Sequence, residues 1–390
     1  MDSCAKLLQM IHYQNILFTL LSHFPSMLIR TRSYARAGFL GNPSDGYFGK
    51  TVSFAFRNFS AEIVMYETPE LGFIPGDVDD ATFSSPDELL HDIQLFGYYG
   101  GIRLMKAVAK LFFLWCRDRG ITLPEKNFTV RYTSDIPRLV GLSGSSAICT
   151  AMLKALQQFY GVTVPIEDAP TLCLEAERDE LDIQCGLQDR VIQTYEGCVF
   201  MDFDKNLVES TGHGRYERLD ITLLPNLYVA YDPLRAEVSG TYHKKLRVLF
   251  EEKKPDILAA MSEFADIAQQ GRDALLAGNK DKLPALVNAN FDLRDRIFNV
   301  APANRNMVMT ARATGASAKF AGSGGAIVGT YEDESQFARL SQALAAIGCQ
   351  TIHPEIACRA PETRRRGEFE SYAGCFIKIS LHPIGEGHPF

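Results

Sequence analysis

An α+β fold in two lobes is what this sequence predicts, and three observations carry the prediction. Residues 127–134 alternate Phe128, Val130 and Tyr132 with Thr129, Arg131 and Thr133, the period of a half-buried strand. That strand runs through Pro137 into the Gly/Ser loop Gly141-Leu142-Ser143-Gly144-Ser145-Ser146 and then into a helix-forming run that reaches Tyr160. Extended segments crowd residues 28–66, and a second set of strands and helices opens at Leu227, beyond a polar stretch at 210–214 that reads as a boundary. The predicted organisation is an extension at 1–26 set apart from the fold, an N-terminal lobe at 28–212, a C-terminal lobe at 213–380 and a tail at 381–390.

Taken in order, residues 28–40 read as a strand, ended by the turn chemistry of Gly41-Asn42-Pro43-Ser44-Asp45-Gly46. Segments 51–56 and 61–66 read as an antiparallel extended pair joined by Arg57-Asn58-Phe59. A polar loop with Asp77, Asp79 and Asp80 precedes apolar residues at 102, 105, 109, 112, 113 and 116, the helical period, with Gly120 as the stop. Helices follow at 145–160, at 165–181 with Pro165 in the first turn, and at 187–195, then a strand at 198–203. Beyond the boundary the pattern is a strand at 227–231 and helical runs near 242–250, 255–276 and 280–298. A segment at 307–315, a strand at 326–330, a helix at 335–347 and a last strand at 375–379 complete it; Arg364-Arg365-Arg366 reads as a solvated loop.

Composition narrows the function classes. With 390 residues, 46% hydrophobic and 22% charged, the chain can bury large cores. Its net charge of −7 argues against nucleic acid or a membrane surface as a partner, yet allows a locally basic cleft for a small anion. The nine cysteines are odd in number and include no CxxC pair, which points to reduced thiols in a cytoplasmic enzyme rather than to disulfides or a zinc site. The apolar run at 16–21 is too short to span a bilayer. It reads as an upstream extension or a loosely attached helix as readily as a targeting signal.

The loop at 141–146 has the makings of an anion cradle. Glycines 141 and 144 let backbone N–H groups approach a ligand, and Ser145 or Ser146 can cap a helix whose N-terminus favours negative charge. Gly322-Ser323-Gly324-Gly325 is a second place where bare backbone admits a ligand or a neighbouring loop; it precedes a strand rather than opening a helix, so a dinucleotide-binding reading fails. Glu177 and Asp189 are the acidic pair of interest, because phosphoryl transfer needs one carboxylate to hold Mg²⁺ and another near the attacking hydroxyl, with cations to offset charge.

The order of these pieces resembles the GHMP kinases. Ala35-Arg36-Ala37-Gly38-Phe39-Leu40-Gly41-Asn42-Pro43-Ser44-Asp45 is like the sugar kinases' R-V-x-L-x-G-E-H-x-D. The cradle is like P-x-x-x-G-L-x-S-S-A, and Lys319 to Ala326 is like A-K-x-x-G-x-G-G. Ala176-Glu177 and Cys185-Gly186-Leu187-Gln188-Asp189 resemble A-E…C-G-I-M-D-Q, with the same twelve-residue step from Glu177 to Asp189. Within the superfamily the phrases Leu40 to Asp45, Gly186 to Val191, Asn290-Phe291-Asp292-Leu293-Arg294 and Lys319 to Ala326 look like those of glucuronokinases, which phosphorylate D-glucuronate at its anomeric hydroxyl.

That resemblance implies a ribosomal protein S5 domain 2-like N-terminal lobe, a ferredoxin-like C-terminal lobe, and ATP and Mg²⁺ as cofactors. It implies Asp189 and Arg36 as catalytic residues, and Gly141, Leu142, Ser143, Gly144, Ser145, Ser146 with Gly322, Ser323, Gly324 and Gly325 around the ATP phosphates. Ser146 and Glu177 would hold the metal, with Ser145 an alternative to Ser146, since this cradle is one residue longer than the common form. Asn42 and Asp45 would contact the sugar. Asn42-Pro43 replaces the Glu-His of galactokinases, and Arg190 stands where they carry Gln, so Arg190, with Arg294 as a second candidate, would suit a substrate carboxylate. The expected product is glucuronate 1-phosphate; another hexose, a heptose or an isoprenoid alcohol as acceptor, or a sugar- and ATP-binding sensor without turnover, are the other readings.

Overall fold

β1 (Leu28–Leu40) and β2 (Lys50–Thr68) form a long antiparallel pair around which the first sheet is built. The computed structural model describes residues 27–76, 100–234, 246–298 and 300–358. β1 alternates exposed and buried residues up to Ser33 and is then almost wholly buried from Ala35 to Leu40. Small and apolar residues fill that covered half, so Arg36 is buried there as a charged exception.

The two extended segments expected at 51–56 and 61–66 are one strand. Both arms pair with β1, and the register jumps from Ser60 opposite Tyr34 to Phe56 opposite Ala35. Arg57, Asn58 and Phe59 are therefore a bulge in β2 rather than a turn, a feature that alternation along one segment does not reveal. On its other edge β2 pairs with β4 (Asn127–Ser134) through residues 61–68 and with β5 (Cys198–Asp202) through residues 50–54. β3 (Gly72–Phe73) and β6 (Arg215–Leu219) extend the two ends, giving the order β3-β4-β2-β5-β6 with β1 also on β2.

Helices cover this sheet. α1 (Gly101–Asp118) and α2 (Gly144–Tyr160) pack together, and α2 lies on β1, where Thr31 Oγ1 donates to Ala151 O at 2.7 Å. α3 (Ala169–Arg178) begins four residues after the predicted start: Pro170 sits in its first turn, and lacking an N–H it cannot continue a helix begun at Pro165. α4 (Gln188–Tyr195) follows, and α5 (Lys205–Thr211) precedes β6; neither α5 nor β6 was predicted.

The second sheet has the order β10-β7-β9-β8, built from β7 (Leu227–Tyr231), β8 (Lys319–Phe320), β9 (Ala326–Thr330) and β10 (Gln350–Ile352). Its helices are α6 (Pro255–Leu276), α7 (Leu283–Ile297), α8 (Pro302–Ala313) and α9 (Glu334–Ala345). Tyr228, Ala230 and Ile327 of the sheet meet Phe291, Val308 and Leu340 of the helices in one core. α7 and α6 also reach β1 and β2, which carries the second set of elements to the end of β1, where Arg36 lies. The fold is α+β, as predicted; the extension at 1–26, the strand at 375–379, the arginine run and the tail lie outside the described residues.

Candidate active site

An open cavity of about 190 Å³ lies where the ends of β1, the 141–146 loop, α4 and the 322–325 loop converge. Arg36, Asn42, Asp45, Gly141 to Ser145, Glu177, Asp189, Arg190, Arg294, Gly322 and Ser323 all line it. Ser146, Gly324 and Gly325 do not.

The centre is an arginine–carboxylate pair. Arg36 Nε donates to Asp189 Oδ1 at 2.6 Å, and Arg36 Nη1 donates to Gly141 O at 2.7 Å and Ala321 O at 2.9 Å. One guanidinium thus joins β1, the cradle, the loop after β8 and the first turn of α4. Asp189 Oδ2 accepts from Ser143 Oγ at 2.6 Å. Burial pushes the Asp189 carboxyl up, but the facing Arg36, with Arg190 and the Ser143 hydroxyl, outweighs it and holds the group well below the usual carboxylate range.

The cradle owes its shape to glycine and to one strained serine. Gly141 has φ +74°, and a Cβ there would lie 2.8 Å from Gly324 O, so the two glycine loops touch through bare backbone. Ser143 takes φ 67° at the start of α2, and Gln193 Nε2 donates to its carbonyl at 2.9 Å. Ser146 Oγ turns back to Ser143 O at 3.2 Å and is buried, whereas Ser145 faces the cavity.

Glu177, on α3, is fully buried. Its Oε2 accepts from Arg190 Nε at 2.9 Å and from Arg190 Nη2, while Oε1 has no hydrogen-bond partner among the described residues. Arg190 Nη1 donates to Gly186 O at 2.8 Å and lies 3.8 Å from Asp189 Oδ2. Asp45 sits over Gly186, where a Cβ would strike its Oδ2. Burial, and then the charge on Asp189, raise the Asp45 carboxyl to about 7.

Arg294 lies beneath the late glycine loop: its Nη1 donates to Gly322 O at 2.8 Å and Nη2 to Ser323 O at 2.6 Å, with the guanidinium 4.8 Å from the centre of the Phe320 ring. Asn42 is buried and held from behind. Its Oδ1 accepts from Lys319 Nζ and its carbonyl from Asn290 Nδ2 at 3.1 Å. Lys319 also donates to Gly38 O at 2.7 Å and Phe320 O at 2.8 Å. Burial lowers its pKa, and Arg294 and Arg36 add to that, yet its three acceptors match the three protons of an ammonium. Sequence reasoning gave Lys319 no role of its own, although a lone lysine in the apolar run Ala318 to Ala321 was a signal that it serves a polar site.

Among the described residues no group of three His, Cys, Asp or Glu side chains is placed to hold a metal ion, and no helix is long and apolar enough to cross a membrane.

The family described as GHMP kinases N terminal domain matches residues 103–197, which carry the cradle, Glu177 and Asp189. Glucuronokinase 1 of Arabidopsis thaliana is 44% identical over 306 residues, 77% of this chain and 84% of the relative. The probable glucuronokinase 2 of the same plant is 45% identical over 304 residues, 76% of this chain and 82% of its own. Among solved structures, Lactococcus lactis galactokinase complexed with galactose superposes with a TM-score of 0.68 at 14% identity, covering 85% of this chain and 94% of its own. L. major mevalonate kinase in complex with R-mevalonate does so with a TM-score of 0.61 at 16% identity, covering 85% and 98%. Those distant structures share the fold; the plant relatives, similar over most of both chains, decide the family. The chain belongs to the GHMP kinases and is a phosphotransferase with an alcohol group as acceptor.

Proposed function

We propose that the protein transfers the terminal phosphoryl group of ATP to the anomeric hydroxyl of D-glucuronate, giving D-glucuronate 1-phosphate and ADP. The similarity to the two plant glucuronokinases carries the choice of acceptor.

The residues divide the work as follows. The backbone of residues 141–145 and of Gly322 and Ser323, which line the cavity, would wrap the ATP phosphates, and Arg36 offsets charge on the group in transfer. Asp189 accepts the hydrogen bond of the attacking hydroxyl and aims its oxygen at phosphorus. Phosphoryl transfer through a loose transition state keeps the hydroxyl proton in place until late, so a carboxylate that stays ionised and orients fits better than a strong base. Asn42 and Asp45 meet the sugar hydroxyls.

The site suits Mg²⁺. Oxygen donors are what that ion takes, and it commonly uses one or two protein groups with phosphate and water for the rest. Glu177 Oε1 is a buried acceptor without a partner among the described residues, and Ser145 or Ser146 would add a hydroxyl; of these Ser145 is the one on the cavity wall. When bound, the metal would neutralise charge on the β- and γ-phosphates.

The test is to incubate the purified protein with Mg·ATP and a panel of uronic acids, hexoses and heptoses, following ADP release and phosphorus NMR. An anomeric phosphate formed from glucuronate supports the proposal. Turnover with neutral sugars alone would sink the uronate acceptor, and sugar binding without ADP release would favour a sensor.

A further inference from the structure

Four charged side chains stand in a row beside the cavity with alternating sign: Glu177, Arg190, Asp189 and Arg36. Arg190 is the link between the two carboxylates. It is 1% exposed, and each of its three nitrogens has an acceptor. The Nε/Nη2 edge is spent on Glu177 Oε2, and on the other edge Nη1 is spent on Gly186 O and faces Asp189 Oδ2 at 3.8 Å. A guanidinium that reads a substrate carboxylate in two-pronged fashion needs a free pair of parallel N–H groups. In Arg190 the parallel Nε/Nη2 pair is already taken by Glu177, Gly186 O holds one N–H of Nη1, and the residue is 1% exposed.

From this geometry we infer that Arg190 is a positioning residue: it couples Glu177 to Asp189 and does not read the carboxylate of the acceptor. Its position explains how two carboxylates with different tasks keep their places in one buried site. By drawing both contacts onto Oε2, Arg190 leaves Glu177 Oε1 free for a cation. From its other side it adds positive charge next to Asp189, beyond what Arg36 supplies. The arginine in place of a sugar kinase's Gln is then a device of the catalytic framework, and whatever recognises the uronate lies elsewhere on the cavity wall. This inference rests on the glucuronate reading only for the identity of the acceptor.

The experiment compares wild type with Arg190→Gln, Arg190→Lys and the double variant Arg190→Met/Glu177→Met, by steady-state kinetics and by calorimetric binding of D-glucuronate. Losing a partner of this kind costs roughly 10- to 100-fold. Arg190→Gln should lose that much in kcat while KM for glucuronate stays within about threefold of wild type, a change of well under a tenfold affinity step. Arg190→Lys should fall between the two, because a single ammonium cannot replace a fork that faces two carboxylates. The double variant removes the whole buried pair, which proteins commonly tolerate, and so decides the matter even where the single variant fails to fold. It should bind glucuronate as wild type does. A rise of roughly 100-fold or more in KM or Kd for glucuronate, worth almost 3 kcal/mol of binding, would overturn the inference. If wild type prefers another acceptor, the same kcat-against-KM comparison is made on that sugar, so failure of the uronate reading and failure of the Arg190 inference appear as different results.

Discussion

Arg36 Nε and Asp189 Oδ1, 153 positions apart in the chain, meet at 2.6 Å and form the ion pair on which the cavity is centred. Both groups are largely shielded from solvent, Arg36 the more so. Asp189→Asn keeps the shape and removes the charge. We expect kcat to fall roughly 100- to 10,000-fold, with a small change in KM, since an orienting carboxylate acts mainly in the transition state. Steady-state kinetics beside a circular dichroism spectrum check this; an Asn variant of near wild-type kcat would remove Asp189 from the mechanism.

Gly322 lies under the cradle, where an added Cβ would strike Gly141 O and come to 3.0 Å from Arg36 Nη1. Gly322→Ala should therefore lower stability by about 1–3 kcal/mol, the usual cost of overpacking, and raise KM for ATP more than KM for the sugar. Denaturant unfolding and substrate-varied kinetics read the two effects separately.

Arg294 braces the same loop from below through Gly322 O and Ser323 O, so its loss should be felt at the nucleotide. Arg294→Ala is expected to raise KM for ATP about tenfold, in line with losing charged hydrogen bonds worth about 1.5–3 kcal/mol, and to leave KM for glucuronate little changed. A selective rise in the glucuronate KM would return Arg294 to the acceptor side.

The fourth prediction concerns pH. Asp45 is raised from 3.8 to about 7 by burial and then by Asp189, while the Gln188 N–H and Arg36 pull the other way. A carboxyl that binds its proton more tightly folded than unfolded favours the fold at low pH. That contribution is fully present below 3.8 and is lost as pH rises through about 7. Asp45→Asn should flatten this part of the dependence of melting temperature on pH. Identical pH slopes in the two proteins would place the Asp45 carboxyl in ordinary solvent.

What was legible in the sequence was what is decided locally. The strand at Asn127–Ser134, the glycine-bearing cradle and α2 were found to within a residue, because alternation, positive-φ glycine and helical period act over a few neighbours. β7, α6 and β9 were read from the same kind of signal, to the residue. β8, two residues long, is too short to show a period, and β6, as long as β7 and β9, is the polar Arg215-Tyr216-Glu217-Arg218-Leu219 without their apolar run; both exist because a partner strand is there to pair with.

The site followed the same division. The sequence by itself determined the chemical parts: two glycine loops, Arg36, Glu177 and Asp189, in an order that resembles one family. Tertiary structure decided what each part faces. Arg190 turned out to face Glu177, Arg294 the carbonyls of the late loop, and Lys319 the Asn42 side chain across 277 positions. A side chain's hydrogen-bond partner is set by which elements pack together, and that information is spread over the whole core rather than held in the residue's neighbours. The opening cradle shows both halves: its glycines announce bare backbone, but only packing reveals that Gly141 spends part of it on Gly324 and Arg36, leaving Ser145 on the cavity wall and Ser146 turned inward.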